Sequence, residues 1–533
     1  MTVIDLKATV PGIPPQCIMN PSAIPRSEIR VKLTIWEYDI ASEASLVLLN
    51  GRDCEVLGID EGDRVIVTGD GQTVAVVSVS RTLVQEGEIL ATPRLLVRCG
   101  ASSGSVVDVT ASHAPESVRH IRGKMDGERL TGQMISEIVD DVVGGHLSQM
   151  EISAWLTALH INGMDLDETA AYAKAMASTG TVLSFGDRRV FDFHSFGGLP
   201  GNKITPVVVS IVTAAGLTIP KLSSRAISSA CGTADFVETF CRVDLDSDEV
   251  RRVTESVGGV FSWTGATDLG PAGDLFIKVQ RPLGIDPRPQ MLASIMSKKV
   301  AAGATDLVMD IPLGTESKVR SVEEARSYTR DLMDLGERLG IRVECAVTYA
   351  EQPLGQAVGP ILEARECMQV LEGRGPSDVA EKACICAGMI LEMAGTVDGH
   401  GEARRILGSG EALESFRRIV GAQGGDPDTT SEDMIPGMYS EDVVSPRSGF
   451  VRRISNKAVV AVAKAAGAPS DKGAGVMVRK KQGSKVSEGD VLLTVYADSE
   501  AKLRHAMCVA DSLEPITAEG MVMGHIGHRD RKN

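Results

Sequence analysis

The sequence predicts a multidomain α/β protein. It should comprise a small N-terminal β domain, a helical domain, an α/β domain and a C-terminal α+β domain of barrel-sandwich-like character. Three observations carry this. Strand-like alternation runs from Val31 to about Val109, and helical spacing replaces it after His113. From Val190 short apolar runs alternate with helical ones, and short strands return after the Asp- and Gly-rich linker Gly424–Gly437.

Residues 1–29 hold several prolines and little periodicity, and read as an extension that is partly disordered or draped over the body. The β domain is placed at 30–115. There "DRVIVTGDGQTVAVVSVS" sets two alternating runs around Asp70-Gly71, a hairpin signal. The helical domain is placed at 116–188, with a returning segment near 265–300. Ile135, Ile138, Val139 and Val142 fall at helical spacing, Ser148 and Glu151 form a capping box ahead of Ile152, and Asp165 with Glu168 repeats it. The α/β domain is placed at 189–430. "TDLVMDIP" and "IRVECAVTY" read as buried strands and "DVAEKACICAGMILEMAG" as a buried helix, so a largely parallel sheet is expected. The last domain, 440–533, lacks the lysine-bearing hairpin of a biotin or lipoyl carrier, and a structural or assembly role is expected of it.

A chain of 533 residues leaves room for roughly three or four such domains. Its 43% apolar and 24% charged residues are those of a soluble globular protein. A net charge of -16 and 4% aromatics oppose nucleic-acid binding, and no apolar stretch suits a membrane span. The N-terminus lacks a basic and then apolar leader, so a cytoplasmic location is expected. The ten cysteines form no framework, and the lone pair Cys384 and Cys386 reads as core. No cluster has metal-ligand spacing, so neither metal nor cofactor is expected.

Two stretches carry the candidate chemistry. In "VFDFHSFGGLPGNKITPVVV" a strand ends at His194-Ser195, passes three glycines and Lys203, and turns helical. Such a turn aims N–H groups at an anion, although the pattern is neither a P-loop nor a Rossmann fingerprint. In "IPKLSSRAISSACGTADFVETF" Ser223, Ser224, Ser228, Ser229 and Thr233 surround Arg225 and Gly232, which makes an oxyanion cradle of hydroxyls and one guanidinium. Helix capping accounts for a share of these hydroxyls, but not for their density beside an arginine.

Together "DFHSFGG" and "SSRAISSACGTADFVE" resemble the thymidine and pyrimidine nucleoside phosphorylase family. The fuller run "HSFGGLPGNK…IPKLSSRAISSACGTAD…GIDPRPQMLASIMSKK" is similar to its AMP phosphorylase branch, over nearly the whole chain. The resemblance implies phosphorolysis of nucleoside 5′-monophosphates (AMP, and also CMP and UMP) to free base and ribose 1,5-bisphosphate, in nucleotide salvage. It makes 189–430 a phosphate- and nucleotide-binding domain facing the helical one across a closing cleft, and implies a homodimer or larger homo-oligomer. By position it assigns nucleotide contacts to Gly198, Ser224, Arg225, Ala226, Ile227, Ser228, Ser229, Thr233, Ser294 and Lys318, and proton donation to Asp286. Ser294 and Lys298 stand where the nucleoside phosphorylases hold the base. His194 and Ser195 are secondary candidates.

Asp286 has two readings. A donor to the departing base must be sheltered enough to hold its proton, and "PLGIDP" permits partial burial. The alternative is a cap for the helix that follows. Lys318 likewise reads either as a ligand after a buried strand or as a loop-surface lysine. One departure concerns phosphate. Many relatives have Asp-Lys-His-Ser where this chain has Asp192-Phe193-His194-Ser195, so a cation is missing, and Lys203 or Arg225 is the expected replacement. Rival readings are a pyrimidine nucleoside phosphorylase, a non-catalytic nucleotide-binding assembly protein and a phosphoribosyltransferase, the last without an acidic magnesium-pyrophosphate motif.

Overall fold

The computed structural model describes residues 3–4, 29–39, 45–226 and 229–520. The expected proline-bearing extension lies outside the described residues, apart from Ile29 and from Val3–Ile4, which pairs in parallel with Arg30 and Val31. The chain forms two compact units, Met1–Thr179 with Pro271–Ser294, and Gly180–Gly270 with Ile295–Asn533.

In the first unit, alternating burial along Arg30–Glu37, Leu46–Asn50, Arg64–Thr68, Gln72–Ser80, Glu88–Ala91 and Val106–Ser112 sends one face of each strand inward. Arg64–Thr68 and Gln72–Ser80 are antiparallel neighbours around Asp70-Gly71. The first long strand also pairs with the last, Arg30 against Thr110, so the sheet closes on itself and leaves no long open edge. Val31, Leu33, Val47, Leu49, Val65, Val77 and Val109 fill its interior. The strand pattern did not anticipate two short helices, Gly51–Leu57 and Pro93–Cys99, each ended by a left-handed glycine.

Four helices follow in this unit, Glu116–Met125, Gly132–Gly144, Gln149–Asn162 and Leu166–Ser178, and Ala272–Leu283 joins them. Both capping boxes form, Ser148 with Glu151 and Asp165 with Glu168. Trp155 Nε1 donates to the Tyr172 hydroxyl at 3.1 Å, that hydroxyl donates to Gln290, and Phe276 meets the Tyr172 ring edge-on. Glu168 does a second task. Its buried carboxylate accepts Lys124 Nζ at 2.8 and 3.1 Å and the Leu130 N–H at 2.8 Å.

In the second unit, Asp306–Leu313 is the central strand, parallel to both Phe191–Ser195 and Arg342–Tyr349. Ile219–Ser223 and Gly259–Trp263 form a separate parallel pair. The expected largely parallel sheet is therefore divided, and among the described residues a bridge, Val190 to Thr218, joins the two parts. Arg342–Tyr349 is not a buried strand either. It is an edge, so much of it is exposed, and Val347 and Tyr349 are half-exposed or more. The helix Thr205–Ala214 is buried on every side and packs against Ser377–Ala394, Gly399–Ser409 and Glu411–Ala422. Cys384 and Cys386 are buried there as free thiols.

C-terminal strands make an antiparallel sheet, Tyr439–Val444, Val491–Ala497 and Gly475–Val478, and a second one from Gly449–Ile454, Lys485–Val486 and Ile516–Glu519. The two-residue strand Ala357–Val358, far earlier in the chain, completes the first sheet by pairing with Gly475–Val478. Two helices, Asn456–Ala465 and Glu500–Leu513, cover this region.

Removing one partner of a buried ion pair leaves an uncompensated charge. Glu168→Ala should therefore destabilise the protein by about 3–5 kcal/mol. Thermal unfolding checks this, and Lys124→Met with Glu168→Gln together should recover part of the loss, since the amide oxygen still accepts the Leu130 N–H.

Candidate active site

The strand Phe191–Ser195 ends in the glycine turn. Gly198 has φ 87°, and a Cβ there would stand 2.7 Å from the Lys318 amide nitrogen. Only glycine therefore lets the Lys318 loop approach this turn. Gly201, with φ 70°, is similarly closed in by the carbonyls of Leu354 and Ala357.

Ser195 lies beside Asp310 in register on the next strand. Its hydroxyl donates to Asp310 at 2.8 Å and accepts from Asn202 Nδ2 at 2.9 Å and the Gly197 N–H at 3.4 Å. Asp310, fully buried, also accepts from Asn202 at 3.0 Å and Thr348 at 2.6 Å and faces Lys382 Nζ at 2.8 Å. The Ser195 proton thus points inward. Donation from Ser195 to an anion requires the hydroxyl to rotate.

Phe193 is buried in the main core cluster, on the strand face opposite its neighbours. Asp192 and His194 share the other face. Asp192 accepts Lys299 Nζ at 2.5 Å and Lys221 Nζ at 3.3 Å, and Lys221 also donates to the Phe193 carbonyl at 2.5 Å. All three charged groups are buried. Burial alone would raise the Asp192 carboxyl, but Lys221 and Lys299 outweigh it and hold it below its ordinary range. Burial brings the Lys221 ammonium down to about 8 against the pull of Asp192, with Lys299 adding to the fall. His194 is pushed well below its ordinary range, first by burial and then by Lys299, Lys221, Lys298 and Lys318. Its imidazole is therefore neutral at pH 7, a hydrogen bonder and not a cation. Four lysines and one carboxylate make the surroundings of His194 positive.

Both expected replacements for the missing cation are already paired with carboxylates, Lys203 with Glu366 and Arg225 with Glu238. Lys203 is fully buried, and its three donors go to the Leu354 carbonyl at 3.0 Å, the Ala357 carbonyl at 2.9 Å and Glu366. It braces the segment beyond Arg342–Tyr349 and has no donor left for phosphate. Arg225 gives two bonds to Glu238, at 2.9 and 2.5 Å, approaches Asp235 at 3.4 Å and lies 4.7 Å over the Trp263 ring. Those bonds to Glu238, ahead of the opposing burial, raise its pKa and compensate its charge. Lys221 and Lys299, beside Asp192 and near His194, are buried positive charges that sequence reasoning missed.

In the serine-rich loop, Asp235 Oδ2 accepts the N–H groups of Ala226 at 2.7 Å and Gly232 at 2.9 Å, closing the loop at both ends. Ile227 and Ser228 lie outside the described residues. Ser224 is exposed, Ser229 donates inward to the Cys231 carbonyl at 2.9 Å, and Thr233 is half-buried at the start of the helix Thr233–Val237. Lys318 is exposed, and its ammonium has no hydrogen-bond partner among the described residues. The second unit thus brings together His194, Ser195, Gly198, Lys298 and Lys318.

Asp286 and Ser294 belong to the first unit. The expected partial burial of Asp286 is not found. It is exposed, because the turn Leu283–Ile285 around it is itself solvent-facing, and Gln280 Nε2 donates to it at 2.8 Å. Ser294 and Lys298 lie four residues apart on the helix Arg288–Ala301. Among the described residues no group of His, Cys, Asp and Glu is arranged to hold a metal, and no helix is long and apolar enough to cross a membrane.

Three family models match in succession. Residues 118–180 match the helical bundle domain of a glycosyl transferase family, 187–413 its a/b domain, and 450–516 the pyrimidine nucleoside phosphorylase C-terminal domain. The chain is 46% identical to AMP phosphorylase 1 of Archaeoglobus fulgidus over 91% of this chain and 96% of that protein. It is 44% identical to the AMP phosphorylase of Methanocaldococcus jannaschii, over 93% and 99%. With that of Thermococcus sibiricus the identity is 46%, over 93% and 100%.

Lys221 titrates near 8 against Asp192 and Lys299, with His194 neutral beside it. Raising the pH through that value removes one positive charge from the site. The apparent KM for phosphate should therefore climb above pH 8, by up to about tenfold per unit, and in Lys221→Arg that inflection should vanish. Steady-state kinetics from pH 7 to 9.5 at saturating nucleotide checks both.

Proposed function

Because the chain belongs to the AMP phosphorylase family, we propose that it cleaves the N-glycosidic bond of AMP, and also of CMP and UMP, with inorganic phosphate. The products are the free base and ribose 1,5-bisphosphate. The activity is that of a pentosyl-transferring phosphorylase. The single observation that carries the reading of the site is the glycine turn, backed by buried lysines and met by Lys318.

The chemistry follows from that arrangement. A phosphate oxygen forms a bond to the ribose C1′ as the C1′–N bond breaks, and the electron pair of that bond leaves with the base. Positive charge builds on the ribose and negative charge on the base. Phosphate is held at the turn by the N–H groups of Gly197 and Gly198, by Ser195 once its hydroxyl rotates, and by the field of Lys221, Lys299 and Lys298. Lys318, Ser224 and the serine-rich loop around Ser228, Ser229 and Thr233 take the nucleotide phosphate. Ser294 and Lys298 hold the base, with neutral His194 as a hydrogen bonder beside it. Asp286 gives the proton to the departing base. Being exposed and bonded to Gln280, it needs bound nucleotide to shelter it before it can do so. Excluding water would favour phosphate over hydrolysis.

The match of residues 450–516 to a pyrimidine nucleoside phosphorylase domain keeps nucleosides as a second class of substrate to test. With saturating phosphate, AMP, CMP and UMP should release base, and adenosine, uridine and thymidine should do so far more slowly. Equal or better turnover of uridine or thymidine contradicts the assignment. Asp286→Asn should keep AMP binding and lose about 10²–10⁴ in kcat.

A further inference from the structure

We propose that Glu316, two residues before Lys318, is a positioning residue through which the C-terminal region holds the Lys318 loop against the glycine turn. This rests on the reading that Lys318 contacts the nucleotide phosphate.

The loop after Asp306–Leu313 has strong internal bonds. The Gly314 N–H donates to the Val319 carbonyl at 3.1 Å. The buried Ser317 hydroxyl sits among the carbonyls of Pro312 at 3.0 Å, Gly314 at 2.9 Å and Val319 at 2.5 Å. These bonds fix the shape of the loop and tie its base to its own strand at Pro312, and Glu351 accepts the Thr315 N–H at 3.0 Å and its hydroxyl at 2.7 Å. None of them reaches the C-terminal region.

Glu316 reaches that region. Its carboxylate accepts the Lys457 N–H at 2.9 Å and the Ser455 hydroxyl at 3.0 and 3.1 Å, and pairs with Arg453. Lys457 is in the first turn of the helix Asn456–Ala465, where unsatisfied N–H groups and the helix dipole favour an anion. Burial would raise the Glu316 carboxyl, but the Lys457 N–H, Arg453 and Ser455 outweigh it and keep it below its ordinary range. The same helix start grips the neighbouring strand end, since Asn456 Nδ2 donates to the Ala350 carbonyl at 2.9 Å.

Glu316 is thus anchored, with its side chain 14% exposed, while Lys318 beyond it projects into solvent. The Lys318 amide is the atom that a Cβ on Gly198 would strike. A shift of the loop therefore changes the gap between Lys318 and the turn directly, and shifts of about 1 Å at a distance from the chemistry are enough to cost 10²-fold in rate.

A double-mutant cycle tests this on the full chain. Glu316→Ala should raise the KM for AMP about tenfold with kcat within about twofold, and Glu316→Gln, which keeps an acceptor for Lys457 and Ser455, should restore KM to within about threefold. On a Lys318→Ala background, Glu316→Ala should change KM less than about twofold, because the residue it positions is gone. An equal increase on both backgrounds, or an unchanged KM in Glu316→Ala, overturns the positioning role. A Lys318→Ala variant whose KM is unchanged overturns instead the phosphate contact on which the proposal rests. Should Glu316→Ala fail to fold, Ser455→Ala in the same cycle carries the same outcomes with an effect of about threefold.

Discussion

The candidate site depends on one buried carboxylate shared by two buried lysines. Asp192 is inside the protein, and a lone anion there would be too costly to keep ionised. Lys221 and Lys299 bind it from two sides, and the three groups together carry one net positive charge. That surplus lies behind the glycine turn, with His194 next along the strand. Low dielectric keeps it from being screened. On the neighbouring strand, buried Asp310 secures the turn itself through Ser195 and Asn202, with Lys382 as its counter-charge. One carboxylate holds the charge in place and the other holds the backbone.

This arrangement changes the meaning of Phe193. Alternation along the strand sends residue 193 away from residues 192 and 194, and here that direction is the hydrophobic core. The positive charge comes from behind the strand, out of reach of solvent. Lys203, close in sequence, is drawn away by Glu366 and two carbonyls. Nearness along the chain did not reveal that Lys203 is committed to other partners.

Local chemistry made much of the fold legible. Ser148 with Glu151 and Asp165 with Glu168 are capping boxes whose partners are three residues apart, so sequence contains both halves. The Asp70-Gly71 hairpin and the buried helix around Cys384 were readable for the same reason. Long-range pairings were not. The pairing of Arg30 with Thr110, the recruitment of Ala357–Val358 into the C-terminal sheet and the edge position of Arg342–Tyr349 depend on partners far away in sequence. In the site, the glycines and Lys318 stood out as motif residues. Asp192, Asp310, Lys221 and Lys299 did not, although a charged residue inside an apolar strand, as in "FDFH" and "VMDIP", is itself a signal of a buried partner. Exposure of Asp286 was likewise invisible, because an uncharged neighbourhood in sequence is not the same as burial.

The central claim is that positive charge for phosphate comes from the buried lysines behind the turn. Lys299→Met tests it most directly, since Lys221 and Asp192 remain as a neutral pair and no buried charge is left alone. Titration calorimetry of phosphate binding to this variant, with its fold verified by circular dichroism, should show affinity weakened about tenfold or more. Phosphate affinity equal to that of the parent protein would contradict the account.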